Sequence, residues 1–448
     1  MRAGVEPRRA RRPARLVRLA LVLLATAVGA GCTRSGGGPD VVRFWAMYSE
    51  AEAVEQLLPE FHRRHPGIRV DIQKLPWTGA HQKLLTAFAA DALPDLGQLG
   101  NTWVPELAAL GALEPLADRV AASPVVAPGD YFPGIWDTNL IDGTLYGVPW
   151  YVDTRLLFYR ADLLARAGFP EPPVDWAQWR LAMAALKRQA GAEGYAILLP
   201  LNEFEPLLAL ALQQDDGVLR DNGTRGNFDS PGFRRALAFY LEMFDRDWAP
   251  RVTNTQVANV WSEFGRGYFS FYISGPWNVA EFRKRLPAAL QDSWRTAPLP
   301  GPDGPGASTA GGSSLVLFRG SAAKDAAWTL LSYLSEPAVQ QRFNQLTGNL
   351  PARRGAWDDP RLAGDLQARG FREQLERVRA TPKVPEWERI ATELKVVAEQ
   401  AVHGRLDIDA AVLELDRRTD AILEKRRWLL QQSGAATPTG SQERDPAP

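Results

Sequence analysis

The first part of the chain alternates short extended patterns with helical ones. The apolar residues Val41, Val42 and Phe44 predict a strand over 41–46, and hydrophobic residues recur at helical spacing over 50–62. Hydrophobic and polar residues then alternate over 68–72. A strand, a helix and a strand at this spacing predict a βαβ unit in a parallel sheet. Because ligands of such sheets bind beyond the carboxyl ends of the strands, 47–50 and 74–78 are expected near a binding site.

The alternation of helix and strand continues with a second predicted helix and a third strand. A second helix is predicted over 79–90, and a short strand then opens into Asn101, Thr102 and Trp103. Polar groups and an indole again follow the end of a strand. We therefore expect this tripeptide at the same edge of the sheet.

The stretch 148–160, Val-Pro-Trp-Tyr-Val-Asp-Thr-Arg-Leu-Leu-Phe-Tyr-Arg, combines aromatic and planar polar side chains and ends in an apolar run that predicts a buried strand. Aromatic faces can cover the apolar faces of a sugar ring, while Asp and Arg groups bind neighbouring hydroxyls. In the alternative interpretation these residues form an aromatic corner of the core, and Asp153 and Arg155, two apart on one strand face, pair with each other.

The second half of the chain carries helix-start signals and two further polar segments. Asp175 is predicted as an N-cap, and Ser230 caps a helix that has Pro231 in its first turn. A strand is predicted over 195–199, and the segment 201–205 at its end is polar where a binding cleft would lie.

Two glycine-containing segments come later. In Ser-Gly-Pro-Trp-Asn, residues 274–278, the glycine permits close backbone approach to a ligand, and Trp277 and Asn278 offer stacking and hydrogen bonding. Gly311 and Gly312 end a Pro/Gly-rich loop over 300–312, where close approach to a sugar is our interpretation and an ordinary turn is the alternative.

Composition narrows the class of ligand. The chain has 448 residues, is 45% hydrophobic, and carries 52 basic and 52 acidic residues, a formal net charge of zero. This is typical of a globular protein of two or more domains, and it provides no overall field that would attract nucleic acid. Of the 15 Trp residues, we expect three to five at the site; those in loop-like contexts are Trp77, Trp103, Trp136, Trp150, Trp277 and Trp387.

The N-terminal region has the pattern of a secretory signal. Seven arginines within residues 1–18 precede an apolar run over 19–28, which is too short to span a membrane, and then Gly-Ala-Gly-Cys. Cys32 is the only cysteine, which excludes an intramolecular disulfide and a multi-cysteine metal site. Its position resembles the lipobox of bacterial lipoproteins, although Gly29 stands where leucine is usual. A buried structural cysteine is the alternative. Residues 33–39 are predicted as a flexible tether and 433–448 as a disordered tail.

Six segments, in order, resemble family 1 extracellular solute-binding proteins of bacterial ABC importers, in the branch that binds maltose, trehalose and related oligosaccharides. These segments are 61–70, 93–103, 111–116, 142–160, 274–279 and 311–318. The resemblance implies an α/β fold of two lobes joined by hinge segments, with the ligand in the cleft between the lobes.

On this resemblance we predict lobe one as 40–153 plus 318–352 and lobe two as 154–312 plus 370–430. Two apolar extended segments, 156–159 and 314–318, are predicted as the hinge crossings. The function implied is capture of a sugar by hinge closure and its delivery to a permease, in a membrane-anchored monomer without cofactor or metal.

The predicted ligand-binding residues fall into four groups. We expect Trp150, Tyr151, Asp153 and Arg155 at the hinge, Asn101, Thr102 and Trp103 on lobe one, and Trp277, Asn278, Gly311 and Gly312 on lobe two. Further candidates are Ser49, Glu50, Trp77 and Arg353.

Other functions remain compatible with the residues. An exported carbohydrate-active enzyme would use a carboxylate pair such as Asp153 with Glu203. A sugar sensor would share the fold, and the arginines would also suit an acidic sugar or a polyol phosphate. No phosphate-binding loop, nucleophile elbow or Cys/His metal set occurs in the sequence.

Overall fold

The computed structural model describes residues 40–435. The strands are β1 (Asp40–Met47), β2 (Ile68–Leu75), β3 (Leu96–Gly100), β4 (Leu140–Ile141), β5 (Thr144–Leu145), β6 (Val148–Asp153), β7 (Leu156–Arg160), β8 (Ile197–Leu198), β9 (Leu219–Arg220), β10 (Arg225–Gly226), β11 (Phe271–Ser274), β12 (Trp294–Ala297), β13 (Ser308–Leu317), β14 (Leu350–Pro351) and β15 (Val378–Ala380). Cys32 and the tether 33–39 lie outside the described residues. Of the predicted disordered tail 433–448, residues 433–435 end the last helix and 436–448 lie outside the described residues.

The α-helices are α1 (Tyr48–Arg64), α2 (Trp77–Ala89), α3 (Val104–Ala109), α4 (Ala117–Ala121), α5 (Pro133–Asp137), α6 (Ala161–Arg166), α7 (Trp176–Ala190), α8 (Glu205–Leu212), α9 (Pro231–Asp245), α10 (Val260–Arg266), α11 (Trp277–Arg285), α12 (Lys324–Leu334), α13 (Pro337–Thr347), α14 (Pro360–Ala363), α15 (Leu366–Leu375), α16 (Trp387–Val402), α17 (Ile408–Ile422) and α18 (Glu424–Ala435). None of the helices between residues 40 and 435 is long and apolar enough to cross a membrane.

A seven-stranded mixed sheet organises the first lobe. Its strands run in the order β14-β6-β13-β3-β1-β2, and β15 also pairs with β13. Strand β1 is parallel to β2 and β3, which confirms the predicted βαβ unit. Strand β13 is antiparallel to β3 and β6. The carboxyl ends of β1, β2 and β3 therefore meet at one edge of the sheet.

A four-stranded sheet, in the order β12-β7-β11-β8, organises the second lobe. The central strand β7 is antiparallel to both of its neighbours, and all five of its residues are buried. Phe158 of β7 stacks on Phe282 and Trp294, with ring centroids 5.2 and 6.1 Å away. An apolar strand buried on both faces explains the hydrophobic run in the sequence.

The connections between the sheets differ from the predicted ones. The apolar segments 156–159 and 314–318 were predicted as crossings, but they lie in β7 and at the end of β13, inside the two sheets. The chain crosses at Thr154 and Arg155, between β6 and β7, and returns through 298–307 before β13. An apolar run is needed where a strand is covered on both faces, and a connection does not need one. Residues 308–312, predicted in lobe two, belong to β13; the other lobe boundaries remain predictions.

Two local predictions were also wrong. The strand expected over 195–199 has only two residues, Ile197 and Leu198. Trp387 was expected in a loop-like context, but it begins α16 and is 1% exposed. Its ring packs in the second lobe, with its centroid 6.3 Å from that of Phe204.

Candidate functional site

A cavity of about 620 Å³, a size typical of small-molecule sites, is lined by residues from both lobes. It lies where the carboxyl ends of β1, β2 and β3 meet the crossing between β6 and β7. Its lining residues are Ser49, Glu50, Trp77, Gly100, Asn101, Thr102, Trp103, Tyr151, Val152, Asp153, Arg155, Phe204, Glu205, Pro276, Trp277, Thr309, Ala310, Gly311, Gly312, Thr347, Asn349, Thr381 and Glu388.

Two indoles form the aromatic wall of the first lobe. Trp77 follows β2 and Trp103 follows β3, and their ring centroids are 5.6 Å apart. Behind them, His81 lies 5.2 Å from the Trp103 ring, and its Nε2 is 2.7 Å from the Glu106 carboxylate. The outer indole, Trp77, is 43% exposed. This wall offers aromatic faces to a ligand and is supported from behind.

A buried carboxylate stands beside this wall. Glu50, in the first turn of α1, is 4% exposed. It accepts hydrogen bonds from the Ser49 hydroxyl at 2.8 Å and from Asn349 Nδ2 at 3.0 Å. The carboxylate is thereby held in place at the cavity by neutral donors.

A hydrogen-bond network beneath the cavity fixes Tyr151. Gln98 Nε2 donates to the Tyr151 hydroxyl and to Ser313 Oγ, both at 3.1 Å, and Ser313 Oγ donates to the Tyr151 hydroxyl at 3.0 Å. Gln98 also accepts from the Met47 amide at 2.9 Å. Burial, with a smaller effect from Glu50, raises the pKa of Tyr151 well above its usual value. The phenol is therefore neutral, and the network as a whole joins β1, β3, β6 and β13 at the cavity floor.

The crossing between the sheets carries an ion-pair network. Arg155 donates to the Asp153 carboxylate at 2.9 Å and to the Glu205 carboxylate at 2.7 Å, and its guanidinium lies 4.6 Å from the centre of the Trp277 ring. Burial opposes the charge on Arg155, but Asp153 and Glu205 outweigh it and raise the pKa of the guanidinium. Burial raises the pKa of Asp153, and the ion pair with Arg155 counteracts part of that shift. The network joins β6 of the first lobe to α8 and α11 of the second.

Trp277 forms the aromatic wall of the second lobe, at the start of α11, and is 46% exposed. Its ring lies over Gly275, where an added Cβ would come within 1.9 Å of it. The packing of the indole, and not the predicted approach of a ligand, thus requires a glycine at position 275. The adjacent Asn278 accepts from Trp261 Nε1 at 2.9 Å and donates to Ser274 Oγ at 2.6 Å.

Gly311 and Gly312 lie in β13 and not in the predicted loop. They pair with Asp153 and Val152 of β6. Gly312 has φ +121°, and a Cβ there would be 2.2 Å from the Tyr151 carbonyl oxygen. The close approach that needs a glycine is therefore between two strands, although both glycines also line the cavity.

The comparisons with known proteins identify the family. Residues 49–341, more than half of the chain, match the model of the bacterial extracellular solute-binding protein family. The chain belongs to this family.

Relatives of this solute-binding protein include sugar binders. The structure of the sugar-binding protein MalE from the phytopathogen Xanthomonas citri is 59% identical, covers 88% of this chain and 99% of its own, and superposes with a TM-score of 0.86. The diacetylchitobiose binding protein DasA of Streptomyces coelicolor is 24% identical over 77% of this chain and 80% of its own length. The maltotriose-binding protein of Pyrococcus abyssi is 22% identical over 78% and 74%, respectively.

The family and the structural similarity confirm the predicted two-lobed α/β fold. An extracellular solute-binding family consists of exported binding proteins, and export of this chain follows from its membership.

In this solute-binding protein most predicted site residues line the one cavity described above. Those brought together are Ser49, Glu50, Trp77, Asn101, Thr102, Trp103, Tyr151, Asp153, Arg155, Trp277, Gly311 and Gly312. Their roles in ligand binding remain predictions.

Three predicted residues lie elsewhere. Trp150 is 1% exposed and packs on Phe343, with ring centroids 4.5 Å apart, because it points to the opposite face of β6 from Tyr151. Asn278 is 3% exposed, and its side-chain amide forms hydrogen bonds with Trp261 and Ser274.

The third residue, Arg353, donates to the Ser335 carbonyl oxygen at 3.0 Å and pairs with Asp130. The same segment instead presents Asn349 to the cavity. The arginine is thus a structural residue of the first lobe.

Sequence reasoning missed the lining residues Phe204, Glu205, Thr309, Thr347, Asn349, Thr381 and Glu388. A signal existed for Phe204 and Glu205, since the polar segment 201–205 was placed near a cleft. Thr309 lies two residues before the predicted Gly311, and Asn349 lies in the segment from which Arg353 was predicted. Thr347, Thr381 and Glu388 come from segments without a local site pattern, and only the tertiary structure brings them to the cavity.

Proposed function

We propose that this protein captures a mono- or oligosaccharide outside the cytoplasm and delivers it to the membrane permease of an ABC importer. The observation that carries the proposal is one cavity that combines three indoles, Trp77, Trp103 and Trp277, with carboxylates and a guanidinium. Aromatic faces suit the apolar faces of pyranose rings, and carboxylates accept hydrogen bonds from neighbouring hydroxyls. The 59% identity to a structure described as a sugar-binding protein supports this proposal.

The mechanism we propose is hinge closure. A sugar that contacts both aromatic walls binds the closed form better than the open form, and this difference in affinity drives closure. The short crossing at Thr154 and Arg155 is suited to a hinge because few backbone dihedral angles need to change there. The closed form then docks on the permease, and opening there releases the sugar.

Membrane attachment is part of the proposal. Cys32, which lies outside the described residues, would carry the lipid anchor at the outer face of the cytoplasmic membrane. Residues 33–39 would form the tether to β1, which begins at Asp40. We expect the anchored protein to act as a monomer.

We also propose that the bound sugar leaves unchanged. The carboxylate pair considered from sequence for a glycosidase was Asp153 with Glu203. Asp153 is paired with Arg155, and Glu203 is not among the residues that line the cavity. A glycosidase needs two carboxyl groups that flank the same glycosidic bond.

The test is titration calorimetry on a soluble form that begins after Cys32. Glucose, maltose, trehalose, sucrose and longer glucans are titrated in turn, and the recovered sugar is checked by chromatography for cleavage. We expect one sugar to bind with a micromolar or lower Kd and to be recovered intact. Cleavage would identify an enzyme, and no heat with any sugar would contradict the proposed ligand class.

A further inference from the structure

The cavity has a marked excess of negative charge. Four carboxylates line it, from Glu50, Asp153, Glu205 and Glu388. Arg155 is the only arginine or lysine among its lining residues within 40–435. The formal balance is therefore −3, although the whole chain has a net charge of zero.

The single guanidinium is already occupied. One terminal nitrogen of Arg155 donates to Asp153 at 2.9 Å and the other to Glu205 at 2.7 Å. One face of the group lies against Trp277, and the side chain is 13% exposed. A carboxylate or phosphate ligand is normally held by paired donors on an arginine, and both terminal nitrogens here are committed to the protein's own carboxylates.

The remaining carboxylates, those of Glu50 and Glu388, add to the repulsion of an anionic ligand. Glu50 is 4% exposed, and its donors, Ser49 and Asn349, carry no charge. Glu388 is half-buried in the first turn of α16. A negative group on a ligand would thus meet like charges in a partly desolvated space, where their repulsion is stronger than in water.

We propose that Asp153 and Glu205, by neutralising Arg155, make this site selective against anionic sugars. Uronic acids and sugar phosphates are rejected, whereas neutral saccharides and saccharides that carry an amine are accepted. The inference rests on the proposed function, because it assigns the charge of the sugar that the same cavity binds. Specificity of this kind comes from an unfavourable interaction with the wrong ligand.

The experiment uses the full chain in a detergent that contains no sugar. Maltose and trehalose are titrated first by calorimetry. For the one that binds, two derivatives follow, in which one C6 hydroxymethyl group, the same one in both derivatives, is replaced by a carboxylate or by an aminomethyl group. Both replacements are close to the parent in size, so the comparison isolates charge. We expect the carboxylate to bind about tenfold or more weakly than the amine, as like-charge repulsion predicts.

A charge-removing variant tests the role assigned to Glu205. Glu205→Gln keeps the size of the side chain and removes one of the two negative charges that pair with Arg155. We expect the affinity for the carboxylate, relative to the parent sugar, to rise about tenfold. Glu242→Gln is the matched control, because Glu242 also pairs with an arginine, Arg180, at 2.7 Å but lies outside the cavity. We expect no change in the ratio for this control.

A second variant, Glu388→Gln, tests the inference if Glu205→Gln folds poorly. Glu388→Gln removes one negative charge without touching the Arg155 pairs, and we expect a smaller rise in the same ratio. Equal or tighter binding of the carboxylate by the unaltered protein would overturn the inference and leave the proposed function standing. If neither maltose nor trehalose binds, the sugar that binds in the wider calorimetric screen described above becomes the parent. Failure of every sugar in that screen would overturn the proposed function together with the inference.

Discussion

Two neighbouring aromatic residues of one strand lie in different environments, one in the core and one at the cavity. Trp150 and Tyr151 are adjacent aromatic residues of β6, yet the first packs in the core and the second lines the cavity. The period of two in a strand guarantees that they separate, but the sequence does not show which face is the core. Similarly, Trp277 lines the cavity while Asn278 supports the helix that carries it.

Trp277→Ala removes the exposed indole of the second wall and its contact with the Arg155 guanidinium. We expect sugar binding to weaken by about 1–3 kcal/mol, as for loss of an aromatic hot spot, with little change in the free energy of unfolding. Calorimetry with the sugar identified above measures the effect. Trp428→Ala is the control, because that indole is 57% exposed on α18, outside the cavity. An unchanged affinity in Trp277→Ala would remove Trp277 from the binding site.

Trp150→Ala should lower stability instead of acting directly on sugar binding, because it leaves a cavity beside Phe343 and Phe44. We expect the free energy of unfolding to fall by about 3–5 kcal/mol, measured by urea denaturation. Trp150→Phe should cost less, since the indole Nε1 has no hydrogen-bond partner among residues 40–435. A loss below about 1 kcal/mol for the alanine variant would contradict the core position of Trp150.

At the scale of elements, the sequence predicted helix starts reliably where one side chain accepts a hydrogen bond from a backbone amide of the first turn. Asp175 accepts from the Gln178 amide at 2.8 Å, and Ser230 accepts from the Phe233 amide at 3.3 Å, as predicted for N-caps. Strand lengths were less predictable, because pairing with distant segments sets them. The β13 strand is the clearest example, since its first half was predicted as a loop.

Asp95 links three elements of the first lobe. It lies just before β3 and accepts hydrogen bonds from the Arg43 amide and side chain in β1 and from the Ser321 hydroxyl, at 2.8 to 3.3 Å. Burial opposes its ionisation, but these donors outweigh burial and lower the pKa of the carboxyl group. Its contribution to stability is therefore full above the pKa of an unfolded Asp, about 3.9, and is lost as the pH falls through the lower folded pKa.

Asp95→Asn should reduce the free energy of unfolding at pH 7 by about 1.5–3 kcal/mol, the range for hydrogen bonds to a charged group. It should also flatten the fall in stability below about pH 4. Urea denaturation at several pH values measures both effects. Asp71→Asn, on an exposed position of β2, is the control. An unchanged pH dependence in Asp95→Asn would contradict the lowered pKa.

At the scale of the whole molecule, the binding cavity depends on the relative position of the two lobes. Its lining comes from strand ends of the first sheet, from the crossing, and from α8, α11 and α16 of the second lobe. Arg155 contacts groups on both sides of this division.

We expect a binding sugar to make the protein more compact. Small-angle X-ray scattering should show a decrease in the radius of gyration when the sugar saturates the protein, since closure brings the lobes together. A sugar that gives no heat in calorimetry serves as the control and should leave the scattering unchanged. An identical radius of gyration with and without bound ligand would contradict hinge closure.

The sequence by itself determined the alternation of strands and helices, the helix caps, and the resemblance to a two-lobed binding fold, because these depend on local periodicity and short motifs. It also placed most candidate residues near strand ends, where parallel sheets bind ligands. It could not determine which aromatic residues face the cavity, that Arg155 pairs with Glu205, or that Glu388 lines the cavity. Those features depend on contacts between segments far apart in the chain, and only the tertiary structure decides them.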